Sequence, residues 1–165
     1  MVKIEPITKR QGLKRSVEVI RDSFKTVAVE FGLNESNCPT HPSLITLDKL
    51  LELRKRAELF GLFQDDRQVG FVAIEKAGGG VYYLDKLAVL PEYRHRRYGK
   101  RLVEFVMYYV ADQAGQKVSL GMINESTVLK NWYERLGFEE TGTKKFDHLP
   151  FTVCFMDRIV SQKAS

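Results

Sequence analysis

Residues 87–102, Leu-Ala-Val-Leu-Pro-Glu-Tyr-Arg-His-Arg-Arg-Tyr-Gly-Lys-Arg-Leu, constrain the fold of this chain more than any other stretch. Residues 81–89 are apolar enough to read as a strand, which Pro91 ends. A helix follows over residues 99–114, with Leu102, Phe105, Val106, Tyr109 and Val110 on one side. Residues 118–122 then read as the next strand. A strand, a helix and a strand in this order require a crossover, so the two strands are expected to be parallel. Ligands of such a pair gather beyond the carboxyl end of the first strand. There the first turn of the helix offers unpaired N–H groups and a partial positive charge, which together suit a phosphate. Gly99 lets the backbone come close to it.

The charge is concentrated at the same point. The 165 residues include 26 Lys and Arg against 21 Asp and Glu, a net charge of +5. Residues 94–101 hold five of the basic residues and no acid, and the remaining chain has as many basic as acidic residues. One short block of this kind fits a compact polyanion better than a nucleic-acid duplex, which needs a wider stripe. Tyr98 is the one aromatic residue within the block, so nucleic acid is not an expected partner. No apolar run approaches the ~18 residues of a membrane span, and the N-terminus has no apolar leader. The two cysteines, Cys38 and Cys154, have neither metal-ligand spacing nor the density of a disulfide framework. Location in the cytoplasm, with no membrane partner and no metal, is the expectation.

The rest of the chain reads as one domain over residues 1–165. Thr8 is the expected N-cap of a helix, in one piece or two, carrying Leu13, Val17, Ile20, Phe24, Val27 and Phe31. Residues 34–43 read as loop, and residues 44–59 resume a helical period. A hairpin over residues 59–64 and 69–75 turns at Asp65-Asp66, and Gly78-Gly79-Gly80 turns into the strand at 81–89. A last helix over residues 125–136 stops at Gly137, and two strands follow at 138–143 and 151–156. The order is two helices, three strands, helix, strand, helix, two strands: mixed α/β around one sheet.

Two of these stretches together resemble the GNAT superfamily of N-acetyltransferases. The pyrophosphate signature of that family is Arg/Gln-x-x-Gly-x-Gly/Ala, and Arg94, Arg97 and Gly99 stand at its fixed positions. Arg97 replaces a glycine. A positive φ there costs on the order of 1 kcal/mol, whereas a helical Arg97 costs nothing and adds a phosphate contact, which is the expected conformation. Residues 118–138 resemble the second motif, a strand followed by Asn-x-x-Ala-x-x-x-Tyr-x-x-x-Gly-Phe. Tyr133, Gly137 and Phe138 fall at the matching offsets, Ser126 stands where Asn is usual, and Asn124 lies two residues earlier. The resemblance covers residues from about 59 to about 157.

The resemblance implies a central, mostly antiparallel sheet with one parallel, splayed strand pair and about four flanking helices. It implies transfer of the acetyl group of acetyl-CoA to the amine of a small molecule or peptide, by a monomer or homodimer. Backbone N–H groups around Leu87, Ala88 and Val89 would hold the carbonyl and the pantetheine arm. Arg94, His95, Arg96, Arg97, Tyr98, Gly99 and Lys100 would surround the pyrophosphate, and Asn124 or Ser126 would touch the pantetheine. Tyr133 would protonate the departing sulfur, since a phenol with a pKa near ~10 keeps its proton at neutral pH. The base is open between Asp85, two residues before Leu87 and on its face if strand alternation holds, and His148, in the loop before Pro150. Glu30 is a more distant candidate.

Overall fold

The computed structural model of the chain describes residues 1–161, so the last four residues of the expected domain lie outside it. The described residues form seven strands and four helices. β1 (Val2–Pro6) opens the chain and was not among the expected elements. Its alternation spans only Val2 and Ile4, too short to read by period, and it forms because β2 gives it an antiparallel partner, Val2 opposite Gln64 through Pro6 opposite Phe60.

α1 (Arg10–Phe31) is one continuous helix of 22 residues. Its N-cap is Lys9 rather than Thr8, with no side-chain capping bond, and Gly32 ends it in the left-handed conformation with its N–H on the Ala28 carbonyl. Residues 34–41 are loop, and a 3-10 turn, Pro42–Leu44, follows. α2 (Leu47–Arg54) is shorter than the leucine spacing suggests. The Thr46 hydroxyl caps its start, accepting from the Lys49 N–H, and Leu59 belongs to β2 (Ala57–Gln64), where it is buried in the sheet.

The core strand is β3 (Arg67–Gly78), hairpinned to β2 and to β4 (Val81–Val89). Residues Val69 to Ile74 are all buried whichever way they point, so both faces of the sheet are covered. α1 packs on β3 and β4. α3 (Tyr98–Asp112) packs on the same strands through buried Leu102, Val103, Val106 and Val110. After α3 come β5 (Lys117–Ile123), α4 (Thr127–Arg135), β6 (Glu139–Lys145) and β7 (Thr152–Ile159). The sheet order is β1-β2-β3-β4-β5-β7-β6, and β4–β5 is the parallel pair among the described strands.

Two irregularities in β4 position everything that follows. Its pairing with β5 covers only Val81–Tyr83 against Lys117–Ser119, after which the two strands diverge. Opposite β3, the register jumps from Asp85 facing Ala73 to Ala88 facing Phe71, and Lys86 has a φ of 54°. Two residues therefore oppose one, a bulge that breaks the alternation. Asp85 shares a face with Ala88, not with Leu87, contrary to the expectation from an unbroken strand.

Candidate active site

The divergence of β4 from β5 opens a cavity of about 1650 Å³, larger than the ~300–1000 Å³ of a single small-ligand site. One end reaches the turn into α3 through His95, Arg97 and Gly99. The middle is walled by Leu87–Val89, Ser126 and Tyr133. Phe24, Glu30, His41, Phe151 and Phe155 also line it.

The open edge of β4 carries donors. The Leu90 N–H bonds the Val69 carbonyl of β3 at 2.9 Å. Because N–H directions alternate along a strand, those of Val89 and Leu87 point the other way, to the side that β5 has left. Ala88, between them, is committed to β3.

The basic turn is less uniform than its sequence. His95 and Arg97 both have left-handed backbone, with φ of 65° and 64°. Arg97 is the N-cap of α3, not a helical residue as the sequence suggested. Left-handed geometry there aims successive N–H groups into one concavity, the arrangement that binds anions. Arg97 and Lys100 are exposed and line the cavity. Arg94 also lines the cavity, but its guanidinium is engaged by α1. Its guanidinium donates to the Ser23 carbonyl at 2.8 Å and the Thr26 hydroxyl at 3.1 Å, tying the turn to α1. Arg96 donates to the Gln64 side chain at 3.1 Å, lies over the Tyr93 ring at 5.0 Å, and does not line the cavity. The Tyr98 hydroxyl also bonds Gln64, and the residue is buried under the turn.

Gly99 is needed for a second reason. A Cβ on it would meet the Trp132 ring of α4 at 3.1–3.2 Å, so α3 and α4 approach closely only with glycine there. Its φ is not positive, and the requirement is space.

Ser126 is the N-cap of α4, and its hydroxyl makes no capping bond. Asn124 is occupied. Its Oδ1 accepts from Lys130 Nζ at 2.6 Å, Lys130 goes on to Glu140 at 2.8 Å, and Asn124 does not line the cavity. Of the two residues left open by sequence, Ser126 is the one at the cavity. Tyr133 is buried but lines the cavity, and its ring meets those of Trp132, at 5.0 Å, and Phe138, at 5.5 Å, in edge-type contacts. Its hydroxyl makes no hydrogen bond among the described residues, and burial holds its pKa well above the ordinary phenol value.

Neither expected base stands free in the cavity. Asp85 lines it but pairs with Lys86 at 3.3 Å. His148 is exposed on the loop before β7, edge-on to Phe146 at 5.7 Å, and does not line the cavity. The residues that sequence reasoning missed are His41, Trp132 and the Ser23–Thr26 anchor of Arg94. A lone loop histidine and a helical serine have no periodic signal, whereas Trp132 lay next to Tyr133 within the second motif.

The left-handed Arg97 yields a prediction. Relief of the Cβ strain in Arg97→Gly stabilises the folded chain by about 1 kcal/mol, less the backbone entropy that glycine adds to the unfolded state. Thermal unfolding is expected to rise by about 2 °C in a chain of this size. A lower melting temperature would show that the guanidinium contributes more to the fold than the strain removes.

The family described as "Acetyltransferase (GNAT) domain" matches residues 55–140, just over half of the chain. No curated protein matches the sequence. Among solved structures, the PaiA N-acetyltransferase of Thermoplasma acidophilum, in complex with coenzyme A, is similar with a TM-score of 0.80 and 19% identity, over 96% of this chain and 99% of that one. The ribosomal-protein-S18-alanine N-acetyltransferase of Escherichia coli is similar with a TM-score of 0.75 and 16% identity, over 100% and 97%. A putative streptothricin acetyltransferase of Bacillus anthracis, in complex with acetyl coenzyme A, is similar with a TM-score of 0.59 and 16% identity, over 64% of each chain. At these identities the likeness is one of fold, and the matched family carries the identification: the chain belongs to the GNAT acetyltransferases.

Proposed function

We propose that this chain moves the acetyl group of acetyl-CoA directly to a primary amine, with Tyr133 protonating the thiolate that leaves. The observation that carries this reading is the single cavity. It joins the free N–H edge of β4, the basic turn before α3 and the Tyr133 phenol. The residues fit the cosubstrate at each level. The left-handed turn, the α3 N-terminus, Arg97 and Lys100 suit a pyrophosphate. The Leu87 and Val89 N–H groups suit amide and thioester carbonyls, and stabilise a carbonyl oxygen as it gains negative charge. Ser126 is a further polar group in the cavity lining. The side chain of Arg94 serves by fixing the turn to α1 rather than by meeting phosphate.

The transfer balances simply. The amine nitrogen bonds the carbonyl carbon, and the proton it gives up replaces the one that the phenol donates. The C–S bond breaks, and the sulfur takes a proton from the phenol. The acceptor is a small molecule or a peptide, and no helix of the described residues is long and apolar enough to cross a membrane. Action in the cytoplasm as a monomer or homodimer, without nucleic acid, completes the reading.

The test is calorimetric titration with acetyl-CoA, with NADH and a short RNA as controls, followed by thiol release with a panel of amines. Micromolar binding of acetyl-CoA alone is expected, with thiol release that depends on the amine. Binding without release would leave a cofactor sensor, and binding of the RNA in its place would make the basic turn a nucleic-acid site.

A further inference from the structure

Acetyl-CoA, on the reading above, takes the basic turn, the N–H edge of β4 and the Tyr133 phenol. The acceptor must use the rest of the lining, to which Phe24 and Val27 of α1, Phe151 and Phe155 give apolar surface. The carboxylates of that lining are mostly engaged. Glu75 is bridged to Arg56 at 2.8 Å, Asp85 to Lys86 at 3.3 Å and Asp157 to Lys117 at 3.1 Å. Asp157 also accepts from the Ser119 hydroxyl at 2.6 Å. Glu30, near the end of α1, is exposed.

His41 differs. It is 6% exposed, in the loop between α1 and α2, and it lines the cavity. Its backbone N–H bonds the Cys38 carbonyl at 3.1 Å, and the Phe24 ring meets the imidazole edge-on at 5.8 Å. The Ser43 N–H donates to Nδ1 at 3.3 Å, capping the 3-10 turn, and the Ser43 hydroxyl lies 2.7 Å from the same nitrogen. Nδ1 is therefore the acceptor of the ring. Burial, and after it the charge of Lys86, lowers the imidazole pKa from its ordinary value of 6.5. The ring is neutral at pH 7, and its one hydrogen sits on Nε2. No described residue accepts from Nε2. Nor is that nitrogen sealed, since Ser23 Oγ is the one side-chain nitrogen or oxygen among the described residues that is both fully buried and unpartnered. The Nε2–H thus meets open space, and the open space that His41 lines is the cavity.

We propose that the His41 Nε2–H donates to an amide carbonyl of the acceptor, close to its amine, and so selects a peptide N-terminus or an aminoacyl amide over a simple alkylamine. This rests on the transferase reading above, and it gives His41 a part in specificity, with no proton passing through the ring. Once an acceptor has displaced water from the cavity, an N–H without a partner is penalised, so a ligand that brings an oxygen to it is favoured over one that does not. The charges nearby favour a neutral oxygen. Lys86 is already held by Asp85, and Glu30 shares the lining, so a free carboxylate has no available cation beside His41 and one carboxylate to oppose it. The position suits a carbonyl near the amine. Lys86, whose charge reaches the ring, directly precedes Leu87, whose N–H faces the thioester on the reading above.

Two measurements on the full chain decide this. The first needs no turnover. Protein labelled with 15N-histidine and saturated with CoA is expected to show the His41 hydrogen on Nε2 at pH 7.5. That proton is expected to move downfield on titration with alaninamide and not with isopropylamine. Hydrogen on Nδ1, or the same response to both amines, would overturn the proposal. The second compares kcat/KM for alaninamide and isopropylamine, at saturating acetyl-CoA, in wild type, His41→Asn and His41→Gln. Asparagine keeps an oxygen for the Ser43 N–H but is too short to present the outer donor, whereas glutamine carries an amide N–H to the place of Nε2. The ratio of alaninamide to isopropylamine is expected to fall about tenfold in His41→Asn and to be largely kept in His41→Gln, with the Kd for acetyl-CoA unchanged in both. Comparing one ratio between proteins cancels the different basicities of the two amines. Equal ratios in all three proteins overturn the role of His41 alone. Weaker acetyl-CoA binding by His41→Asn does so too, because it gives the donor to the cosubstrate. A wild type that binds acetyl-CoA but acetylates neither amine overturns the transferase reading along with this one. Should a variant fail to fold, the titration of the wild type still decides.

Discussion

Gly99→Asp is expected to weaken acetyl-CoA binding about a hundredfold, while Gly99→Ala and Gly99→Asn weaken it much less. Two effects separate in this series. Any Cβ at position 99 meets the Trp132 ring at 3.1–3.2 Å, so all three variants must shift α4 by a few tenths of an ångström, and all three lose a little stability. Only aspartate adds a charge. A carboxylate about 5 Å from a phosphate, at an effective dielectric of about 20, is opposed by about 3 kcal/mol, which corresponds to roughly two decades in affinity. Without cofactor the same carboxylate sits in the first turn of α3, where it favours the helix by a few tenths of a kcal/mol. The aspartate variant is thus expected to melt no lower than the asparagine variant while binding far more weakly. Isothermal titration and thermal unfolding of the four proteins check both halves. Equal affinity across the three variants would mean that no phosphate lies at the α3 N-terminus and that Gly99 serves only the contact with Trp132.

That pair of roles shows how far the sequence could be read. The strand, basic turn and helix around Gly99 were legible because their signals are local: a proline, a block of like charges and an apolar stripe. The parallel pairing of β4 and β5 followed from chain order alone. What could not be read depends on a partner distant in sequence. β1 exists because β2 lies beside it. β6 was found without any apolar alternation of its own, since all seven of its residues are exposed and its pairing to β7 forms it. The bulge at Lys86 turns Asp85 away from the face of Leu87, and nothing in Leu-Asp-Lys-Leu announces it. Arg97 was read as helical because arginine avoids positive φ, yet the turn into α3 imposes that conformation and the strain is carried there. His41 escaped because it enters the cavity wall from a loop whose path is set by the Cys38 cluster with Ala28 and Leu33, contacts that no spacing encodes.

Tyr133→Phe is expected to lower kcat about a hundredfold, about 2.7 kcal/mol in the barrier, with the Kd for acetyl-CoA changed less than twofold. The variant is unusually clean. The hydroxyl makes no hydrogen bond among the described residues, and the ring makes edge-type contacts with Trp132 and Phe138, which a phenylalanine meets equally well. The fold therefore has little reason to change, and a lost rate reports lost proton transfer. Stability at high pH gives an independent readout of the same burial. The folded-state pKa of Tyr133 is raised by desolvation, so the folded state holds its proton where the unfolded chain, near pH ~10, gives it up. Below that pH the group contributes nothing to the pH dependence. Above it, wild type loses stability with rising pH at a rate that Tyr133→Phe does not share. The same raised value means that the rate profile of the wild type has no alkaline limb from Tyr133 below pH ~10. If turnover is unchanged in the variant while the alkaline stability difference is present, the phenol is buried as described but takes no part in the chemistry. The thiolate would then leave unprotonated or take its proton from the attacking amine itself.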